Sequence, residues 1–203
     1  LAQLFRTRND APKALPHIRR ALDLARAGEA ELKGWVVLSI LDLTSIALLA
    51  RQPDGLDDLL QEADAAAVAL HGDIDHHQRA LILMARARVL IARRQRPEAE
   101  KMARESIAMA ERVFGEDGAV RHLNRVTLPR ILASQRRYDD AVEELNKVLP
   151  VQDRLGLHEY TVSMTLTYLG RMYLQTGRNE EGIAVLERAH AQRRRVFPNG
   201  SQY

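Results

Sequence analysis

The stretch LTYLGRMYLQTGRNEEGIAVLERA, Leu166 to Ala189, sets two apolar series on either side of a polar break. Leu166, Leu169, Gly170 and Tyr173 recur at helical steps, and so do Gly182, Leu186 and Ala189. Between them lies Gln175-Thr176-Gly177-Arg178. This is the pattern of two short amphipathic helices joined by a tight turn.

The pattern recurs along the chain. Its most constrained position is the small residue early in the second helix. Counting back from Gly182, that position holds Ala141, Ala99, Leu56 and Ala14, at steps of 41, 42, 43 and 42 residues. Four residues on stand Leu186, Leu145, Ala103, Leu60 and Ile18. Three further on stand Ala189, Val148, Ser106, Ala63 and Ala21. Small side chains at these places let paired helices approach closely.

Leu-Gly-x-x-Tyr followed by Gly182 resembles a tetratricopeptide repeat, whose usual period is about 34 residues. The longer period here is similar to the kinesin-light-chain type, in which the second helix is extended. That family often carries Gly-x-Asp-His-Pro between repeats. The matching turns here read Gly72-Asp73-Ile74-Asp75-His76-His77, Gly115-Glu116-Asp117-Gly118, Gly156-Leu157-His158-Glu159 and Phe197-Pro198-Asn199-Gly200. The resemblance implies an all-α fold, a right-handed α-solenoid of antiparallel helix pairs whose first helices line a concave groove. It also implies a bacterial signalling or regulatory parent, because similar arrays follow kinase or transcription-regulator domains.

One array over residues 1–203 is expected, with repeats near 1–28, 29–72, 73–115, 116–156 and 157–203. Leu1 to Phe5 align with Leu169 to Tyr173, so the first repeat reads as truncated. Both ends look cut from a longer array, and end-to-end self-association is expected of them. Helices are expected over 1–8, 11–27, 29–51, 56–71, 76–93, 97–114, 119–135, 138–155, 158–176 and 179–196. Pro129 takes the Gly170 position inside one of them and should kink or restart it. No stretch alternates long enough to make a strand.

Composition narrows the chemistry. Of 203 residues, 46% are hydrophobic and only 4% aromatic, with net charge +3 and no cysteine. Enough chain is present for a sizeable core. Disulfides and thiolate metal sites are excluded, and a cytoplasmic setting is expected. The most apolar stretch, Trp35 to Ala50, is interrupted by Asp42 and hydroxyls and reads as a buried helix rather than a membrane span. The balanced charge gives no general argument for nucleic acid.

His71, Asp73, Asp75, His76 and His77 are the densest group of candidate metal ligands, but they coincide with an inter-repeat turn. Gly-rich phosphate loops, nucleophile elbows and zinc-protease helices are missing, so no enzyme and no cofactor are expected. Acidic pairs such as Asp57-Asp58, Asp139-Asp140 and Glu180-Glu181 sit at second-helix starts, where they complement the helix dipole.

One arrangement points to binding. The residue after the Gly170 position reads Arg171, Arg130 and Arg88, then Ser45 and Gln3. In tetratricopeptide families this position faces the groove. The kinesin-light-chain Asn in this region is replaced by Thr167-Tyr168, Val126-Thr127 and Met84-Ala85, which argues against that family's cargo mode. The expected site is Arg88, Arg130 and Arg171 with Tyr168, and Asp42 at the far end. Its expected ligand is an acidic peptide, a terminal carboxylate or a phosphorylated segment. The alternative is a sensor domain for a small anion or signalling peptide.

Overall fold

The computed structural model describes residues 11–28, 32–122 and 126–197. The helix expected over residues 1–8 and the turn at Pro198 lie outside them. The described residues form α1 (Ala11–Ala27), α2 (Lys33–Leu49), α3 (Leu56–His71), α4 (His77–Ala92), α5 (Arg96–His122), α6 (Thr127–Ser134), α7 (Tyr138–Arg154), α8 (Glu159–Gln175) and α9 (Asn179–Val196). No strand occurs among them. None of these helices is long and apolar enough to cross a membrane.

Two compact units result, one ending at Val113 and the other beginning at Phe114. In the first, Val37, Ile40, Ile46, Leu60, Ile82 and Val89 are buried in a common core. In the second, Leu128, Ile131, Leu132, Leu145, Val148 and Leu166 are buried. The repeat positions behave as their spacing demands: Ala14, Leu56, Ala99, Ala141 and Gly182 are all buried. Ala21 is an exception. It is exposed, and Leu22 beside it is buried instead, so the face of α1 is rotated by about one residue.

Most helix boundaries match the sequence pattern within a few residues, and two differ for identifiable reasons. Helical backbone continues past Phe114 to His122, broken only at Gly115, where φ is 72° and ψ is 174°. Gly72 adopts nearly the same geometry, with φ 79° and ψ 177°. That region of backbone space is open essentially to glycine alone, which explains glycine at both inter-repeat turns. The helix expected over 119–135 instead restarts at Thr127. Pro129 therefore stands in a first turn, where its missing N–H breaks no intrahelical bond. The first helical bond follows at once, from Arg130 N–H to the Val126 carbonyl at 3.1 Å.

Among the described residues, the turn between the two helices of a repeat is a Schellman closure. The N–H groups of Gln52, Gln95, Arg137 and Arg178 reach back to Ala47, Leu90, Leu132 and Tyr173 carbonyls at 2.8, 2.9, 3.0 and 2.9 Å. The preceding residue must be left-handed. Gly177 supplies that at φ 78°, but Arg51, Arg94 and Arg136 are held there at φ 57°, 64° and 63°. A residue with a Cβ carries a steric cost in this region.

Ion pairs repeat at the same period. Asp75 accepts from Arg112 at 2.5 Å, Asp117 from Arg154, and Glu159 lies 3.9 Å from Arg195. Each joins the start of a first helix to the end of the second helix of the same repeat. In the first unit, Arg26 also grips Glu62 with two bonds, of 2.8 and 2.5 Å, and holds its carboxyl below the usual range.

The tightest packing joins α8 to α9. A Cβ added at Gly170 would lie 2.7 Å from Leu186 Cγ and 3.0 Å from the Gly182 carbonyl oxygen. One added at Gly182 would lie 2.8 Å from Leu174 Cδ2. Replacing Gly170 by Leu should therefore lower stability by roughly 1–3 kcal/mol despite the better helix propensity of Leu. In the opposite direction, Arg94→Gly and Arg136→Gly should each stabilise by about 0.5–1 kcal/mol, a left-handed penalty relieved less the extra chain entropy of glycine. Gly177→Arg should reverse the sign, and urea denaturation curves check all of these.

Candidate functional site

In the second unit two of the expected residues, Arg130 and Tyr168, come together, and a third, Arg171, follows Tyr168 on the same helix. Arg130 stands on α6, one residue after the buried Pro129. Tyr168 and Arg171 stand on α8, three residues apart, and so share one helical face. The Arg130 guanidinium lies 6.0 Å from the centre of the Tyr168 ring. This is the outer range of a cation–π contact. Tyr168 is half-buried, while Arg130 and Arg171 are exposed. Neither arginine has an ion-pair partner among the described residues. The local result is an aromatic floor beside two exposed, permanently charged forks.

In the first unit the same positions are used differently. Arg88 on α4 donates through Nη1 to Ser45 Oγ on α2 at 3.0 Å. These residues occupy the same place in successive repeats, so their bond ties first helix to first helix. Asp42, one turn before Ser45, is half-buried and is itself engaged by a partner. Arg88 therefore joins two first helices of its own unit.

The sequence pattern misses a feature of α2. Its apolar run, Trp35 to Ala50, reads as buried throughout. Val36, Val37, Ile40, Leu43, Ile46 and Ala47 are buried, but Trp35, Leu38 and Leu49 are 61%, 42% and 57% exposed. These three fall on the side of Asp42 and Ser45, at spacings of 3, 4, 3 and 4 residues along Trp35, Leu38, Asp42, Ser45 and Leu49. A helix that is apolar on nearly every side carries no periodicity to mark its open face.

The histidine-rich turn forms a stack. The rings of His71 and His76 are 3.5 Å apart at 21°, and His76 Nε2 lies 3.2 Å from His77 Nδ1. Rings so stacked do not converge their lone pairs on one point. Among the described residues no group of three His, Asp or Glu side chains is placed to hold a metal ion.

Comparison with known proteins places this architecture. A family model described as tetratricopeptide repeat matches residues 79–119 and 162–202. BtubC (BKLC) from P. vanneervenii is similar in structure, with a TM-score of 0.68 at 21% identity over 100% of this chain and 80% of that one. A Podosopora anserina chain described by its kinesin light chain nearly identical TPR-like repeats gives a TM-score of 0.61 at 17% identity, over 97% and 93% of the two chains. A substituted form of that protein gives 0.62 at 17% identity, over 96% and 92%. No curated protein sequence matches. Two stretches of the chain match the tetratricopeptide-repeat model, and with a period of 41 to 43 residues its fold is similar to that of long-repeat, kinesin-light-chain-like arrays.

Proposed function

We propose that the chain is a protein–protein interaction scaffold whose second unit captures an acidic or phosphorylated segment between Arg130, Tyr168 and Arg171. Helical repeat arrays present side chains from successive first helices along one surface, which suits an extended partner. The observation that carries the proposal is the pair of exposed guanidinium groups beside Tyr168, with no carboxylate of the protein neutralising them among the described residues. Like charges held near one another raise the local positive potential. A planar fork meets a carboxylate or phosphate with two parallel bonds, and each charge-assisted bond contributes about 1.5–3 kcal/mol. The Tyr168 ring offers a stacking face and its hydroxyl a further donor.

The test uses fluorescence anisotropy with three labelled peptides: one acidic, one phosphotyrosine-bearing and one neutral. Arg130→Glu with Arg171→Glu should weaken capture of the anionic peptides at least tenfold, the equivalent of about 1.4 kcal/mol. Tyr168→Phe should have a smaller effect because it keeps the ring. Arg19→Glu, on the exposed side of α1, should change nothing. Undiminished capture by the double variant, with an unchanged melting temperature, would reject the site. Capture blocked equally by free phosphate would instead favour a sensor for a small anion.

A further inference from the structure

We propose that His76, stacked on His71 and hydrogen-bonded to His77, forms a proton-operated latch at the start of α4, closed when its imidazole is neutral and released below neutral pH. The hydrogen bonds dictate the tautomers. The Gln78 backbone N–H donates to His76 Nδ1 at 3.3 Å, so that nitrogen carries a lone pair. The neutral His76 proton is then on Nε2, which faces His77 Nδ1 at 3.2 Å and donates to it. His71 Nε2 lies 3.2 Å from the Gln78 side-chain oxygen, an acceptor only, and therefore donates. Gln78 is itself buried.

His76 thus does several things at once. It is the N-cap of α4, with extended backbone at φ −147° and ψ 150°. It stacks on His71 at the end of α3, and it donates to His77. A second proton can enter only at Nδ1, because Nε2 is already occupied. Protonation there removes the capping acceptor and sets a cation against the positive end of a helix dipole. It also places that cation against two neighbouring imidazoles. Burial first, and the charges of His77 and His71 after it, hold the His76 pKa below its ordinary 6.5.

The surrounding charges do not offset this. On α3, Asp64 lies 3.5 Å from Arg79; in the connection, Asp73 accepts from Arg79 at 2.8 Å. Asp75 is taken by Arg112 of α5 at 2.5 Å. From α2, Gly34 approaches the Gln78 amide and brings no charge of its own. These three carboxylates are thus already bound by guanidinium groups. The helix held by the latch is the one that carries Arg88, so its release alters the first-helix face of the first unit.

The sign follows from the lowered pKa. Well above 6.5 both folded and unfolded His76 are neutral and the latch contribution is complete. As pH falls through that value the unfolded state takes up the proton first, so stability is lost until the folded group also titrates. Wild-type protein should lose melting temperature from this group between about pH 7.5 and about pH 5. Amides at the start of α4 should exchange about tenfold faster at the lower pH, after correction for intrinsic chemistry, for each unit of pKa displacement. His76→Asn keeps a capping acceptor without a titrating ring and should abolish both dependences. A variant with the full wild-type pH dependence would overturn the latch. So would an NMR titration of the wild-type His76 ring with a midpoint at or above the ordinary value, whatever the variant's folding.

Discussion

Two helices of a repeat pack only if their backbones can meet where side chains would otherwise keep them apart. Gly170 against Gly182 is the extreme case, with each carbonyl oxygen standing close to where the other residue's Cβ would be. Elsewhere the position on the second helix is Ala99 or Ala141, each fully buried. Interiors are packed as densely as organic crystals, so one methylene at such a contact must displace a neighbour. A helix pair this small cannot bury its apolar face alone, and stacking successive pairs is what closes each core.

Turn geometry imposes a second constraint, met with two chemistries. Between repeats, Gly72 and Gly115 occupy backbone space that no other residue tolerates well. Inside repeats, the closing hydrogen bond demands a left-handed residue, yet arginine fills that place at Arg51, Arg94 and Arg136. The Schellman bonds and the packing of both flanking helices outweigh the local steric cost there. The periodic ion pairs from Asp75, Asp117 and Glu159 lie largely at the surface, where screening leaves little net stabilisation. Their role is orientation of one helix end against another.

The two units treat the same groove position in opposite ways. Arg88 donates a hydrogen bond to Ser45 within the array, whereas Arg130 and Arg171 keep exposed forks beside Tyr168. A hydroxyl in the preceding repeat accepts from the first cation. In the second unit the neighbour of Arg130 is an aromatic ring. One repeat position therefore holds an inter-helix hydrogen bond in one unit and exposed arginines in the other.

Helix pairs, their period and most of their ends were legible in the sequence, because a small residue at Ala14, Ala99, Ala141 and Gly182 and a 3.6-residue apolar rhythm are local properties. The restart near Pro129 was also legible, since a missing N–H has a local consequence. Tertiary structure decided the rest. It alone turned Trp35, Leu38 and Leu49 outward on a helix too uniformly apolar to show a preferred face. It alone put arginines into left-handed turns, because their neighbours' hydrogen bonds enforce what the residue itself disfavours. And it alone paired Arg88 with Ser45, because residues 43 apart in sequence meet only in three dimensions.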